Sequence, residues 1–395
     1  MSTRKQIGIG VVGFGWMGMA HSRSMRKIPM HFPERSFDPR LVIISDTVEA
    51  RRTEAVEGFG FGQATASWPD VIAHPDVDVV VVTAPNMLHL PIIEAATEAG
   101  KHVLCEKPVG GTPEQTAKAE LAARKAGVVT GVGYNYRWAP LVQYAKQLIA
   151  SGALGEITNY RGRFLSMYGS DPMGLLSWRF LVDEGGYGVS TDILSHSVDL
   201  AHFLVGPIDK VSALTETFIK ERPLPKAGGT HYDRGAPGDP TGTVTNEDYA
   251  GMFCRFANGA LGCFETSRNI IGPESQNAFE VHGTKGAIGW NFEKMNELRV
   301  YLPHGEELHT GYTTVFAGER FPYHGHFVPG AANGIGFEEL VVIEDYEFLR
   351  SVSEGRVHHE PGFAEALAYV SVQDAVLRSA ASEKWETVQS LRLPD

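Results

Sequence analysis

The sequence predicts an α/β fold of two domains: an N-terminal doubly wound parallel sheet, then an α+β domain with a large, mostly antiparallel open sheet. A chain of 395 residues is longer than one hydrophobic core usually organises. Up to about residue 130, short apolar runs alternate with helical segments, which is typical of a parallel sheet covered on both faces. After Tyr134, hairpin turns such as Asn258-Gly259 indicate antiparallel pairing. We therefore predict domains at residues 1–132 and 133–395, with the last helices packing back on the first domain.

The apolar runs of the first domain are continuous in Val, Ile and Leu, because strands buried on both faces need no polar side. They predict strands at residues 7–12, 41–45, 77–83, 102–105 and 128–132. The segments between them predict helices at residues 17–27, 49–58, 88–99 and 113–126. In the second domain, residues 223–243 and 311–336 are rich in glycine and proline and are predicted as long loops. Amphipathic helices at residues 339–354 and 363–383 are expected to close the chain.

The composition excludes several classes of partner. The formal net charge of −12 repels polyphosphate chains, and no basic run offsets it locally, so we expect no nucleic-acid partner. No stretch approaches the roughly 20 apolar residues of a membrane-spanning helix. The first residues lead straight into a predicted strand without the apolar core of a signal peptide. We therefore expect a cytoplasmic protein with no membrane partner.

The three cysteines, Cys105, Cys254 and Cys263, are too few for a disulfide framework or a zinc site. A two-residue turn at Asn258-Gly259 would pair Cys254 with Cys263, so we expect these two thiols to face each other across neighbouring strands. In a reducing cytosol, two small buried apolar residues are favoured over a redox pair.

A glycine-rich turn follows the first predicted strand and opens the first predicted helix. It reads Gly13-Phe14-Gly15-Trp16-Met17-Gly18. Glycines at this spacing allow a tight turn and bring the backbone close to a pyrophosphate, which then lies against the helix N-terminal amides. The motif alone is weak evidence, but here it has the required strand, turn and helix around it. We predict a Rossmann dinucleotide site.

Asp46 ends the second predicted strand, where a Rossmann site needs an acid to accept hydrogen bonds from the adenosine ribose. It lies farther from the glycines than the usual roughly 20 residues, which we attribute to an inserted loop at residues 28–40. A carboxylate there repels a 2′-phosphate and favours NAD over NADP. Arg51 and Arg52 follow one turn later and either weaken that preference or are simply solvated.

Two polar motifs follow later strands of the same sheet, where ligands bind in open α/β folds. They are Thr83-Ala84-Pro85-Asn86-Met87-Leu88-His89 and Cys105-Glu106-Lys107-Pro108. With these motifs and the Asp192-x-x-x-His196 spacing in the second domain, nearly the whole chain resembles the Gfo/Idh/MocA oxidoreductases, and within them the glycoside 3-dehydrogenases. The resemblance implies NAD contacts from Asn86, His89, Glu106, Trp178 and Arg179, and an oligomer formed by stacking the open sheet of the second domain. The full set of predicted cofactor residues is Gly13, Phe14, Gly15, Trp16, Met17, Gly18, Asp46, Thr83, Pro85, Asn86, His89, Glu106, Lys107, Asn135, Trp178 and Arg179.

Asp192 and His196 are the first candidates for catalysis. Oxidising an alcohol needs a base for the hydroxyl proton and a group that holds the oxygen. A spacing of four places both side chains on one helix face, with Asp199 one turn further along. On spacing alone, an ordinary helix-surface pair fits better. The resemblance implies that His196 is the general base and that Asp192 orients substrate hydroxyls. No third ligand suggests itself, so we expect no metal.

Lys107 is the other catalytic candidate, because an ammonium beside the reacting oxygen stabilises developing alkoxide charge and can relay its proton. The alternative is an ordinary surface lysine, which the adjacent Pro108 and the position at a strand's carboxyl end make less attractive. The predicted substrate-binding residues are Lys107, Tyr136, Arg163, Asp192 and His196. Arg163 is expected on the same side of a strand as Arg161, where the pair binds either an anionic substituent or surface acids.

The sequence therefore predicts an NAD-dependent oxidoreductase that removes a hydride from a ring carbon of a sugar, glycoside or inositol, with the third carbon favoured. A second hypothesis is an NAD-dependent glycoside hydrolase, in which transient oxidation permits elimination of the aglycone. A third is an NAD-binding sensor without activity, which the presence of Lys107, Asp192 and His196 disfavours. A homodimer or homotetramer is expected.

Overall fold

The computed structural model describes residues 4–225, 233–303 and 310–394 and divides the chain into two compact units. The first contains Met1–Trp138, Ile335–Leu367 and Leu391–Asp395, and the second contains Ala139–Gly334 and Ala368–Ser390. The chain therefore first passes from one unit to the other after residue 138, whereas the sequence predicted a boundary after residue 132. The chain also returns to the first unit after residue 334, so a helix that is late in the sequence belongs to the early unit.

The first unit is built on a six-stranded parallel sheet with the order β3-β2-β1-β4-β5-β6. Its strands are β1 Lys5–Val12, β2 Phe37–Ser45, β3 Gln63–Thr65, β4 Val79–Val82, β5 His102–Cys105 and β6 Thr130–Val132. Its helices are α1 Trp16–His31, α2 Glu49–Glu57, α3 Trp68–Ala73, α4 His89–Glu98, α5 Pro113–Ala126 and α10 Phe337–Ser353, with a 3-10 helix at Asn86–Leu88 and another at Asn135–Trp138. The five predicted strands and four predicted helices are confirmed, whereas β3 and α3 were not predicted.

Sheet order fixes where a ligand binds in this unit. The chain runs outward from β1 to β3 and then restarts on the other side of β1 with β4, so the loops after β1 and β4 diverge and leave a crevice at the carboxyl ends of the strands. All four residues of β4 are fully buried valines, as expected of a central strand with both faces covered.

The predicted inserted loop at residues 28–40 is wrong. Helix α1 continues through Pro29 to His31, and β2 begins at Phe37, so only five residues separate the two elements. Pro29 lies in the last turn of the helix, where its missing N–H removes only one of the terminal hydrogen bonds. The longer spacing to Asp46 thus comes from a longer helix and a longer strand.

The second unit is built on a nine-stranded sheet with the order β16-β15-β14-β13-β7-β12-β11-β8-β17, in which only the β7–β12 pair is parallel. Its strands, with the separate β9–β10 pair, are β7 Ile157–Leu165, β8 Ile208–Glu216, β9 Glu221–Pro223, β10 Thr241–Thr243, β11 Tyr249–Phe256, β12 Leu261–Ser267, β13 Gln276–Gly283, β14 Ala287–Asn291, β15 Glu297–Tyr301, β16 Thr313–Phe316 and β17 Glu386–Thr387. Its α-helices are α6 Pro140–Ala150, α7 Val182–Gly185, α8 Val189–Asp192 and α9 Leu194–Leu204, and its 3-10 helices are Trp178–Phe180, Phe292–Lys294 and His324–His326. The final helix, α11 Phe363–Ser382, begins in the first unit and continues in the second.

The two predicted loops of the second domain are only partly loops. Strand β10 falls within residues 223–243, and β16 falls within residues 311–336. Residues 226–232 of the first predicted loop lie outside the described residues. Across the part of the chain that the structure describes, no helix has both the length and the apolar character needed to cross a membrane.

The nine-stranded sheet has one face covered by α9 and one outer face. Tyr160 is fully buried and its hydroxyl group approaches the backbone oxygen of Ser197 on α9. A Cβ atom at Gly162 would lie 2.8 Å from the Ser197 Oγ, so glycine permits this close helix-sheet packing. Because side chains alternate along a strand, Arg161 and Arg163 point to the outer face.

The hairpin at Asn258-Gly259 has a different register from the one predicted. The Phe256 N–H donates to the Ala260 oxygen, and Gly259 has a φ of +92°, so the turn has three residues. Cys254 consequently pairs with Gly262, and Cys263 pairs with Phe253. The two thiols therefore lie on opposite faces of the sheet and not opposite each other.

This register predicts unequal thiol chemistry. Burial raises the pKa of Cys105 well above its ordinary value and raises the pKa of Cys254 to about 12, whereas Cys263 is only partly buried. We expect the Cys254 thiol to react more slowly than an ordinary thiol with iodoacetamide at pH 8, and a mild oxidant to form no Cys254–Cys263 disulfide. Peptide mass spectrometry of the native protein checks both. A disulfide between these two residues would contradict the register.

Candidate active site

The glycine-rich loop between β1 and α1 uses each glycine differently. Gly13 has a φ of +93°, and a Cβ atom there would lie 2.7 Å from the Thr83 oxygen. A Cβ atom at Gly18 would lie 2.2 Å from the Gly13 oxygen. Gly15, in contrast, has nothing within 4 Å of its Cβ position. The first and third glycines close the turn, while the second leaves open space at the helix N-terminus, which fits the approach of a pyrophosphate.

Asp46 lies at the carboxyl end of β2 and fixes the same loop. Its carboxylate accepts hydrogen bonds from the Phe14 N–H and from the Val48 N–H, both at 2.8 Å. The Arg51 guanidinium is 3.5 Å from the carboxylate, and the Arg52 guanidinium donates to the Asp46 backbone oxygen. The predicted ribose acid is thus in place at the strand end, and both arginines help to hold its segment.

The loop after β4 supports the glycine-rich loop. The Thr83 hydroxyl group donates to the Gly13 oxygen at 2.6 Å, and Pro85 precedes the 3-10 helix that contains Asn86. His89 is buried, and its ring nitrogens lie 2.7 Å from the backbone oxygens of Ala84 and Pro108. His89 therefore joins this loop to the segment after β5. The cofactor contact of His89 stays a prediction.

Glu106 and Lys107 follow β5 at the same end of the sheet. The Glu106 Oε2 accepts the Lys107 N–H at 3.1 Å, and the Glu106 Oε1 lies 3.3 Å from the Nε2 of His21, a buried residue of α1. A Cβ atom at Gly133 would lie 2.8 Å from the Glu106 carboxylate, so glycine leaves room for the carboxylate in this position. Asn135 is buried nearby in sequence, and its Nδ2 has no hydrogen-bond partner among the described residues.

Aromatic side chains border the glycine-rich loop. The Trp16 side chain is 66% exposed and stacks on Phe337 with a centroid distance of 5.3 Å. Tyr136 is buried and meets the same Phe337 ring edge to face. Phe337 begins α10 and was not predicted as a site residue, since nothing near residue 337 in the sequence connects it with residue 16.

Asp192 and His196 lie in the second unit, but not on one continuous helix as predicted. Helix α8 ends at Asp192 and α9 begins at Leu194. The Asp192 backbone oxygen accepts a hydrogen bond from the Ser195 hydroxyl group at 2.8 Å. This bond gives the Asp192 carbonyl group a side-chain partner at the break between the two helices. Both residues stay one short turn apart, and His196 is buried with its ring 6.0 Å from that of Phe164.

The Asp192 carboxylate belongs to a polar cluster that the sequence did not reveal. The Tyr168 hydroxyl group donates to its Oδ2 at 2.8 Å, and the Arg179 guanidinium lies 3.9 Å from the same oxygen. Burial and the Asp192 charge raise the pKa of Tyr168, so the phenol stays a hydrogen-bond donor. Arg179 also stacks on Trp178 at 4.6 Å. No local signal marked Tyr168, because it is 24 residues from Asp192 in the sequence.

Arg163, a predicted substrate-binding residue, lies on the face of the sheet opposite His196. His196 lies beside Phe164, on the face of the sheet that α9 covers. Its neighbour Arg163 points to the outer face, because adjacent residues of a strand alternate. The alternation of side chains along β7 places Arg161 and Arg163 on the same face of the sheet, as predicted. Which of the two faces this is depends on where α9 packs.

Comparison with known proteins gives this arrangement a family. Residues 7–134 match the model described as "Oxidoreductase family, NAD-binding Rossmann fold", and residues 142–289 match the GFO/IDH/MocA C-terminal domain. The chain is 37% identical over 389 residues to levoglucosan dehydrogenase of Pseudarthrobacter phenanthrenivorans, covering 98% of this chain and 99% of that protein. The chain belongs to the Gfo/Idh/MocA oxidoreductase family. A solved levoglucosan dehydrogenase in complex with NADH and levoglucosan has a TM-score of 0.91 at 37% identity, covering 97% of this chain and all of the other.

Another relative is named as an inositol dehydrogenase. The chain is 27% identical to myo-inositol 2-dehydrogenase of Thermotoga maritima, over 71% of this chain and 74% of that protein. This membership makes the protein an NAD-dependent oxidoreductase, so the hypothesis of a sensor without activity is wrong. The hydrolase hypothesis is not favoured, because these relatives are named as dehydrogenases.

The open position at Gly15 generates a test of the NAD site. We expect Gly15→Ala to fold normally, because the added methyl group meets no protein atom, yet to weaken NADH binding at least about tenfold by filling the space for the pyrophosphate. Differential scanning fluorimetry and NADH fluorescence titration measure the two effects. Gly311→Ala is the matched control, since Gly311 also has nothing within 4 Å of its Cβ position. Unchanged NADH affinity in Gly15→Ala would contradict the assignment of this loop.

Proposed function

We propose that this protein oxidises a ring hydroxyl group of levoglucosan or a related sugar or glycoside, at the third carbon, with NAD as hydride acceptor. The observation that carries the proposal is the 37% identity to levoglucosan dehydrogenase along 98% of the chain. The likeness to the solved complex with NADH and levoglucosan supports it, and the retained Lys107, Asp192 and His196 supply the acid-base groups that alcohol oxidation needs.

The first unit holds the cofactor and contributes Lys107. Bound NAD supplies the carbon that accepts the hydride. The Gly13–Gly18 loop holds the pyrophosphate, and Asp46 accepts hydrogen bonds from the ribose hydroxyl groups. The Asp46 carboxylate repels a 2′-phosphate, so it favours NAD over NADP. Lys107 holds the oxygen of the reacting hydroxyl group and stabilises the negative charge that develops on it as the proton leaves. Glu106 fixes the Lys107 backbone through the hydrogen bond to its N–H.

The remaining proposed roles concern the sugar. We assign Asp192 to accept hydrogen bonds from substrate hydroxyl groups and His196 to receive the proton of the reacting one. Tyr168 donates a hydrogen bond to one Asp192 oxygen, and Arg179 lies beside the same oxygen. These two contacts fix the plane of the carboxylate. Trp178 and Arg179 remain proposed cofactor contacts.

The outer face of the nine-stranded sheet supports a homodimer or homotetramer. Leu214, Phe253 and Leu261 are 59%, 66% and 46% exposed on neighbouring strands of this face. Grouped apolar side chains of this kind mark interaction surfaces. We also propose a cytoplasmic location, where the three thiols stay reduced.

The sugar specificity is tested by absorbance at the NADH band with purified protein, NAD, and a panel of levoglucosan, glucose, inositols and aryl glycosides. We expect NADH to accumulate in step with product for levoglucosan or a glycoside, and no aglycone to be released from the aryl glycosides. Identification of a 3-keto product by NMR checks the position of oxidation. Aglycone release without net NADH would instead support the hydrolase mechanism, and turnover of inositols alone would contradict the proposed substrate class.

Lys107 gives a sharper test of the chemistry. We expect Lys107→Met to lower kcat by at least about a thousandfold, because the developing charge on the oxygen loses its cationic partner, while the dissociation constant for NADH changes less than about threefold. Stopped-flow turnover and fluorescence titration measure these quantities. Lys118→Met, an exposed lysine of α5, is the control. Full activity in Lys107→Met would remove this residue from the mechanism.

A further inference from the structure

A buried ionic chain connects three segments of the first unit that are far apart in sequence. His21 lies on α1, is 1% exposed, and has its Nδ1 2.8 Å from the Oδ1 of Asp345 on α10. Its Nε2 lies 3.3 Å from the Oε1 of Glu106, which follows β5. The Glu106 Oε2 in turn accepts the N–H of Lys107. The four groups form a continuous path from α10 to the backbone of the candidate catalytic lysine.

The hydrogen-bonding capacity of these groups determines how many protons the ring carries. An ionised carboxylate only accepts hydrogen bonds, and a neutral imidazole has a single N–H to donate. Both ring nitrogens of His21 face a carboxylate oxygen, so only the imidazolium satisfies both contacts while Asp345 and Glu106 stay ionised. Asp345 needs this charge, because it is fully buried and its Oδ2 has no hydrogen-bond partner among the described residues, and an uncompensated buried carboxylate is strongly destabilising.

The electrostatics of the site point the same way. Burial lowers the pKa of His21, but the charges and hydrogen bonds of Asp345 and Glu106 overcome this effect and raise the pKa well above its ordinary value. Glu344 of α10 belongs to the same cluster. Of the strands that pack against α1, β4 has no charged residue, and β1 and β2 have charged residues only where they begin, at Lys5, Asp38 and Arg40. The charged residues of α1 itself are Arg23, Arg26, Lys27 and His31.

We infer that His21 is a positioning residue, which Asp345 holds as an imidazolium and which fixes the Glu106 carboxylate and, through it, the backbone of Lys107. The carboxylate lies against Gly133, where a Cβ atom would fall 2.8 Å from it, so glycine leaves the space that the carboxylate occupies when it contacts His21. Because α1 also begins at the glycine-rich loop, the same imidazolium ties the pyrophosphate loop to the lysine segment. The effect on turnover rests on the proposed function, whereas the protonation of His21 does not.

The protonation is tested directly by NMR on the full-length protein without NAD. Ring-15N-labelled histidine resolves the two ring nitrogens, and the His21 signals are identified by their loss in His21→Gln. We expect both His21 nitrogens to carry protons at pH 7.5 in the wild type, and one of them to lose its proton in Asp345→Asn, which keeps the shape but removes the charge. A neutral His21 ring in the wild type at pH 7.5 would overturn the inference, whatever the effect of Asp345→Asn.

The positioning role is tested by the pH dependence of the variant. We expect Asp345→Asn to reduce kcat about tenfold at pH 8 by misplacing Lys107, with NADH affinity changed less than about threefold. The ratio of variant to wild-type kcat is expected to rise as the pH falls from 8 to 6, because the His21 ring regains its second proton. Glu338→Gln is the matched control, since Glu338 also joins α10 to α1, through Arg23 and Lys27, but at the surface. For Glu338→Gln, the ratio of variant to wild-type kcat is expected to stay near 1 at every pH between 8 and 6.

The outcomes separate this inference from the proposed function. A ratio for Asp345→Asn that does not change with pH would contradict the positioning role, because a merely structural defect has no reason to be reversed by His21 protonation. If no sugar on the panel is oxidised, the proposed function fails while the NMR result still decides the charge on His21. If a sugar is oxidised and His21 is neutral, the inference fails and the proposed function stands.

Discussion

The cofactor end of the first unit depends on one steric constraint, the close contact of the glycine-rich loop with the end of β4. The Cβ positions of Gly13 and Gly18 fall within 2.7 Å and 2.2 Å of backbone oxygens, distances that no side chain tolerates. With this contact made, the Thr83 hydroxyl group closes the loop from one side and the Asp46 carboxylate holds it from the other. The open space at Gly15 is a consequence of these contacts.

The segment after β5 is held by side chains that play no direct part in hydride transfer. His89 joins it to the loop after β4 through two backbone oxygens. His21 joins it to α1 and α10 through buried carboxylates. Preorganised groups of this kind lower the reorganisation that a reaction requires, and they do so best on rigid elements. Buried polar contacts therefore help to hold the segment of Glu106 and Lys107 in the first unit, beside the apolar packing of Cys105 and Val109.

In the second unit, the two faces of one sheet carry different side chains. The face covered by α9 carries the aromatic residues Tyr160 and Phe164 and lies next to His196. The outer face carries Arg161 and Arg163 together with exposed apolar residues such as Phe253. Because alternation assigns each strand residue to one face or the other, the packing of α9 on one face leaves the side chains of the other face outside this helix-sheet contact.

The sequence by itself determined the features that depend on neighbours along the chain. Apolar runs predicted the parallel strands, and the spacing of Gly13, Gly15 and Gly18 predicted a dinucleotide site, since backbone geometry and helix dipoles are local properties. Asp46, Glu106 and Lys107 could be predicted for the same reason, as residues at the carboxyl ends of strands. The family resemblance added Asp192 and His196, which spacing alone did not single out.

Tertiary structure decided what depends on distant segments. The turn residues predicted the 254–263 hairpin, but a three-residue turn shifted its register by one position and moved the two thiols to opposite faces. Phe337 and Asp345 reach the cofactor end from more than 300 residues away, and no periodicity in a sequence reports such a contact. The alternation of β7 likewise placed Arg161 and Arg163 on one side of the strand without saying which face of the sheet a helix would cover. Local sequence patterns thus predicted which side chains are available, whereas packing between distant segments decided which of them come into contact.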